Sequence, residues 1–509
     1  MADLRALCRL PGRRQDSITA SDNQEPRDSW RPYLFLLGIF IVSRIAYFAA
    51  GIRFDARPIE MFYQNADPLL LRTRMIETLF YLHMQPPAFN LSIGVILKLF
   101  PEHFAGALHA IYLLLGVSLC FTLYRLMRIL GAVAPVAVVV AAIFLVSPGV
   151  VLFENLLMYE YVLMAVLCAA AVLFQRLLVT PGLLVASIFF FALGALVYLR
   201  ALFQLGWLVA LMAFTIWLLK GRRRMILVAA AVPFALCLGL YVKNLIVFGT
   251  FNASTWMGFN AQNLTLGCLT GEEHRRLVDQ HILSTVGLTS QYSPISAFQS
   301  MVRLPPPTGI PVLDQVRDST GRVNYNNLGY LAVHPYFISD AKQVLRHYPV
   351  AYLRSLMDAW YSYFLPTGDF VFLSQNRSRI RSFDRWFNRI FFGEWTDYLS
   401  RAKTHKHWAF LNVGIFLMVG LPLLFLINVS RLWTAVSESG WNPRSGVLAF
   451  VLFNIAFLTA VVNLLSNSEN NRYRLPLDPL YAALLAASIS RGRIFTQRAH
   501  QVSSGLSQR

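Results

Sequence analysis

The chain has 509 residues, of which 56% are hydrophobic and only 14% charged, and its mean hydropathy is +0.50. A soluble globular protein carries about a quarter charged residues, so composition excludes a water-soluble enzyme or binding module and points to an all-α polytopic membrane protein. The net charge of +19, from 45 Lys+Arg against 26 Asp+Glu, reads as cations concentrated in cytoplasmic loops, with membrane lipids and not nucleic acid as the bulk partner.

A polar, basic stretch over 1–31 precedes the first apolar run and reads as a cytoplasmic tail. A spanning helix needs about 20 apolar residues. Spans are predicted at 33–51, 105–125, 132–153, 161–178, 183–199, 201–219 and 225–245, which together form an amino-terminal transmembrane module over 32–245 with outer loops at 52–104 and 154–160. The apolar stretch Pro86–Phe100 is too short to span and reads as a helix lying in the outer interface. Residues 246–407 are polar, contain Pro305–Pro307 and are too long for a structureless linker. They read as a folded, mixed extracytoplasmic domain between spans seven and eight, in which Asp340–Phe364 has helical periodicity and suits a membrane surface. Three further spans, 408–428, 446–466 and 475–490, lead into a basic tail at 491–509. The clusters Lys220/Arg222/Arg223/Arg224 and Arg491/Arg493/Arg498, with Arg125, Arg128 and Arg176, assign both termini to the cytoplasm. The five cysteines have neither metal-type spacing nor a disulfide pattern.

Charge beside a membrane is expensive, so the polar islands are the candidate functional groups. The first outer loop carries Asp55 and Glu60, followed by Gln85-Pro86-Pro87. Asp55 is placed to take a proton from a hydroxyl or to hold a metal ion; the alternative is a loop carboxylate paired with Arg53 or Arg57. Glu154 and Glu160 flank the turn between spans three and four. Six residues apart, they face different ways, and Glu160 is the better candidate because it opens the next span. Arg200 and Lys243 are cations on the side where the loop bias depletes them. Snorkelling to the interface would explain them; so would a phosphate ligand, which Arg binds through two parallel N–H groups. Glu469, Arg472 and Arg474 form a third outer cluster, with mutual ion pairing as the alternative. There is no Walker-type loop, zinc spacing or G-x-S-x-G motif in the chain.

The ordered islands resemble the GT-C glycosyltransferases, including bacterial protein-mannosyltransferase-like and lipid A sugar-transferase-like members. The resemblance rests on Asp55 in the first loop, on Gln85-Pro86-Pro87 where His-Pro-Pro is usual, and on Tyr159-Glu160 at the start of span four. Lys243–Asn260 and Glu469–Leu480 (ENNRYRLPLDPL) complete it. The chain departs from the family pattern where Ala56 follows Asp55 and where Gln85 replaces His. The resemblance implies a GT-C-like helix bundle in the cell inner (plasma) membrane, with its active site on the extracytoplasmic side. It implies transfer of a sugar, with inversion, from a polyprenyl-phosphate-linked donor to an extracytoplasmic glycan, lipid or protein acceptor. On that reading Asp55 is the base, with Glu60 next in line. Glu160 orients the acceptor or a divalent cation, while Arg200, Lys243, Arg472 and Arg474, with Gln85 and Glu469, hold the phosphate end. The rival readings are a transporter or flippase of lipid-linked sugars and a non-catalytic envelope-assembly subunit. A transporter needs polar groups at the midplane and at both faces.

Overall fold

A computed structural model describes residues 29–266, 269–394, 414–466 and 469–491. Residues 1–28 and 492–509 of the two basic tails, the end of the outer region and the start of the expected eighth span lie outside the described residues. Within them the protein is helical, with no strand and only two isolated β-bridges, Asp55 to Leu156 and Arg317 to Val323. Six helices are long and apolar enough to cross a membrane: Arg31–Ala49, Phe104–Ile129, Tyr159–Val179, Lys220–Phe248, Ile415–Ser439 and Pro443–Leu465. The chain is therefore an all-α, multi-pass membrane protein.

The remaining apolar runs depart from simple spans for local reasons. The run expected at 132–153 is a bent pair, Ala134–Val146 and Pro148–Glu154, meeting at 56°. Proline disfavours helical geometry in the residue before it, and Ser147 is extended. Leu183–Leu199 and Leu205–Leu218 have 17 and 14 residues, because the chain turns at Arg200–Gln204 instead of running on as the expected 201–219 span. Residues 478–491 are helical. The short apolar stretch after Pro87 is a 12-residue helix, Ala88–Leu99, with Phe89, Ile93 and Leu97 buried and Leu91 and Leu99 exposed.

The basic ends of the helices gather. Arg444 donates to the carbonyl of Leu130, Val133 N–H donates to Ser490, and Trp217 meets Trp441 edge to face. The polar islands gather at the opposite end. Asp55 N–H donates to the Asn155 carbonyl and its carbonyl accepts from Leu157 N–H, Thr255 N–H donates to the His83 carbonyl, and Arg200 reaches both Gln85 and Tyr473.

The expected mixed domain is, among its described residues, helical and loop-built. Glycines, prolines and polar residues there break short helices but pair no strands. Gly271–Asp279 starts on a capping box in which Thr270 and Glu273 satisfy each other's backbone donors. Gly329–His347 and Pro349–Tyr363 are separated at Tyr348, again by the proline that follows. The region is not independent of the helix bundle. Its aromatic core of Trp256, Phe259, Phe298, Tyr325, Tyr330 and Phe337 includes Met84 from the first loop. Val350, Leu353, Met357 and Trp360 are exposed along one stripe of Pro349–Tyr363.

Candidate functional site

The segment carrying Arg472 is locked before its side chain is aimed. Asn470 donates to Ala359 and Ser466 carbonyls, and Asn471 donates to Pro366 and Asp369 carbonyls. Glu469, just before the short helix Asn470–Arg474, sits at φ +59. That left-handed geometry costs a non-glycine residue about 1–2 kcal/mol and turns the chain so that Arg472 points inward.

Arg472 is fully buried, its guanidinium lying 4.8 Å from the Phe370 ring centroid and 4.6 Å from that of Tyr473. It ion-pairs with Glu160 at 3.4 Å and Glu469 at 3.3 Å and donates to the Tyr473 hydroxyl at 2.7 Å. Burial works against the charge, but Tyr473, Glu160, Tyr159 and Glu469 outweigh it and hold the guanidinium pKa above the ordinary arginine value. The Glu160 contact does not meet hydrogen-bond geometry. Both Glu160 carboxylate oxygens, and Nε and Nη1 of Arg472, have no hydrogen-bond partner. A buried donor or acceptor without a hydrogen bond costs about 1–3 kcal/mol, more for a charge, so here the two side chains are held by charge attraction and not by a hydrogen bond.

Arg200 is the second cation. It donates to Gln64 and, at 3.0 Å, to Gln85, and it reaches the Tyr473 hydroxyl at 3.3 Å. Tyr159 lies under it at 4.3 Å and donates to Gln64 at 2.6 Å. The Tyr473 hydroxyl therefore accepts from both arginines. Arg200, Gln85 and Tyr473 form the polar end of a cavity of about 420 Å³, whose remaining wall is mostly apolar, including Tyr241, Trp256, Leu264, Leu345, Val461 and Leu465. Glu160 and Arg472 sit behind Tyr473.

Glu160, Arg472, Glu469, Arg200 and Gln85 are thus brought together. The other candidates lie elsewhere. Both oxygens of Asp55 accept from Arg57, at 2.9 and 2.5 Å, and with Glu60 it lines a different cavity of about 380 Å³ beside Arg53, Asn376 and Arg379. Lys243 donates to the carbonyls of Phe80 and Leu82 and tethers the loop before Gln85. Arg474 is consumed by Asp478, Thr367 and the carbonyls of Tyr363 and Leu365. Glu154 is fully buried in a two-pronged pair with Arg44 and accepts from Tyr161 at 2.6 Å. Of the two carboxylates in that island, Glu160 is the one facing the cluster. Reading the sequence for charge missed Gln64 and Tyr473, which carry no formal charge; their place in the polar islands was the available signal.

Among the described residues no group of three or more His, Cys, Asp or Glu side chains could hold a metal ion. The two carboxylates at the cluster, Glu160 and Glu469, already share the Arg472 guanidinium, a donor set that does not fit a divalent cation between them. No family model matches the chain, and no curated protein matches it.

Proposed function

We propose that this protein is an integral-membrane glycosyltransferase of the GT-C type that moves a sugar from a polyprenyl-phosphate carrier to an extracytoplasmic acceptor, with inversion. The observation that carries this reading is the buried, incompletely bonded Glu160–Arg472 pair behind a cavity with one cationic end and long apolar walls. An isoprenoid chain suits the apolar walls, and its phosphate suits the guanidiniums of Arg200 and Arg472.

The chemistry needs little else. The acceptor hydroxyl oxygen attacks the anomeric carbon, the bond from that carbon to the phosphate oxygen breaks, and the hydroxyl proton passes to a carboxylate. Polyprenyl phosphate leaves as an anion held by the two arginines, so no general acid is required. We assign the role of base to Glu160 in preference to Asp55. The Arg57 partner is not the obstacle, since an exposed ion pair is worth only about 0–1 kcal/mol. Glu160 is favoured because it pairs with Arg472, which donates to the Tyr473 hydroxyl at the Arg200 cavity, whereas the cavity at Asp55 is lined by neither arginine. The concentration of arginines at the far end supports an extracytoplasmic site.

Purified protein supplied with a polyprenyl-phosphate sugar and an acceptor extract tests the reading. Release of polyprenyl phosphate with sugar appearing on the acceptor is expected, and a soluble nucleotide sugar should have no effect. Turnover of the nucleotide sugar without lipid, or movement of the lipid-linked sugar across vesicles without transfer, would overturn it.

A further inference from the structure

A third cavity, of about 260 Å³, lies at the basic end of the bundle. It is bounded by the end of Ile415–Ser439, the start of Pro443–Leu465 and the end of the 478–491 helix. The 443–465 helix runs from this cavity to the wall of the Arg200 cavity. At 1.5 Å per residue their lining residues on this helix are roughly 20–30 Å apart, so this is not part of the site described above.

Its walls carry Arg431, Arg444 and Arg491 with a single carboxylate, Glu438. Among the described residues none of the three guanidiniums makes an ion pair with a carboxylate. Arg431 donates from Nη1 to Asn428 at 2.6 Å and to Ser488 at 3.0 Å, while its Nε is buried with no partner. Arg444 donates to the carbonyl of Leu130 at 2.7 Å. Arginine offers five N–H donors, so these three bonds use only a small share of roughly fifteen. Three like charges around one small volume repel one another, and Glu438 offsets at most one of them. A tetrahedral phosphate anion would use the free donors and reduce the repulsion. Trp433 and Trp441, 76% and 40% exposed, lie on the same stretch of chain. Exposed tryptophans mark head-group depth in membrane proteins.

We propose that the cavity between Arg431, Arg444 and Arg491 binds a phosphate group, at the end of the bundle opposite Arg200 and Arg472. The same chemistry is offered by an anionic phospholipid head group and by a soluble phosphate. Equilibrium binding to the full-length protein in neutral detergent separates them, with phosphatidylglycerol and inorganic phosphate as the two probes and phosphatidylcholine as the control. At least one probe is expected to bind saturably. Binding of phosphatidylglycerol alone identifies the lipid, and binding of inorganic phosphate as well identifies a soluble ligand.

Arg431→Gln and Arg491→Gln should each weaken the interaction by about ten- to a hundredfold. Arg491 is exposed and, among the described residues, makes no hydrogen bond or ion pair, so its variant tests the site even if Arg431→Gln fails to fold. Glu438→Gln should tighten binding, an effect that general destabilisation cannot produce. The proposal is overturned if neither probe binds saturably, or if Arg491→Gln binds as the unaltered protein does.

Discussion

At the scale of single residues, two islands each present a pair of like groups, one spent on structure and one left available. Glu154 has Arg44 and Tyr161; Glu160 has an ion pair but no hydrogen bond. Arg474 is saturated with carbonyls and Asp478, whereas Arg472 keeps Nε and Nη1 open. The pairs should part company under substitution. Glu160→Gln is expected to lower transfer by about 10²–10⁴-fold, the usual loss of a positioned base, with a smaller loss of stability than Glu154→Gln because Arg472 keeps Glu469. Glu154→Gln leaves Arg44 buried without its counter-charge and should cost about 3–5 kcal/mol of stability. Thermal unfolding and turnover measured on the same two preparations check this; equal turnover in both variants would contradict the assignment. Asp55→Asn should be milder than Glu160→Gln, and the reverse order would return the base to Asp55. The sequence marked all these residues as costly at membrane depth but could not say which partners consumed them. That depends on contacts such as Glu154 with Arg44, 110 positions apart.

At the scale of elements, the first loop is built into the outer region by His83. Its ring is fully buried, with Nδ1 on Thr255 at 2.8 Å and Nε2 on the Asn326 carbonyl at 3.0 Å. Burial, with His334 and Lys243 nearby, pushes its pKa down to about 3. The unfolded chain, with an ordinary histidine pKa near 6.5, binds the proton more readily. The contribution of His83 is therefore complete above about pH 6.5 and is lost as pH falls from there towards 3. At pH 5 the loss is about 2 kcal/mol. His334, held down to about 4 by burial, adds a loss of the same sign. Unfolding midpoints in denaturant should fall between pH 7 and 5, and His83→Gln should flatten that dependence. Lys243 acts on the same loop, so Lys243→Met should loosen residues 80–82 in hydrogen exchange while leaving Arg200 in place. Hydrophobic runs and proline positions made most helices legible, including the short helix Ala88–Leu99. The breaks at Ser147 and Tyr348 follow from Pro148 and Pro349, but reading 132–153 as one span passed over the first of them.

At the scale of the whole molecule, charge is sorted by end. Arg444, Arg431 and Arg491 meet at one end, and the islands around Asp55, Glu160, Arg200 and Glu469 meet at the other. The loop-charge rule foresaw that separation because it acts on whole loops. It was silent on how the islands divide between two cavities, which depends on side-chain packing. Cysteines at Arg222 and Gly321 should be labelled by a membrane-impermeant thiol reagent from opposite sides, Gly321 from outside. Labelling of both from one side would contradict the orientation.

The central claim is that the Arg200 cavity receives a lipid-linked phosphate, and photocrosslinking tests it most directly. A polyprenyl phosphate carrying a diazirine on its isoprenoid chain is added to the purified protein, and the labelled peptides are identified by mass spectrometry. Label is predicted on residues 251–264 and 461–466, which line the cavity, and should fall at least tenfold in Arg200→Gln. Label confined to exposed helix faces such as 415–427, and equal in the two proteins, would contradict the account.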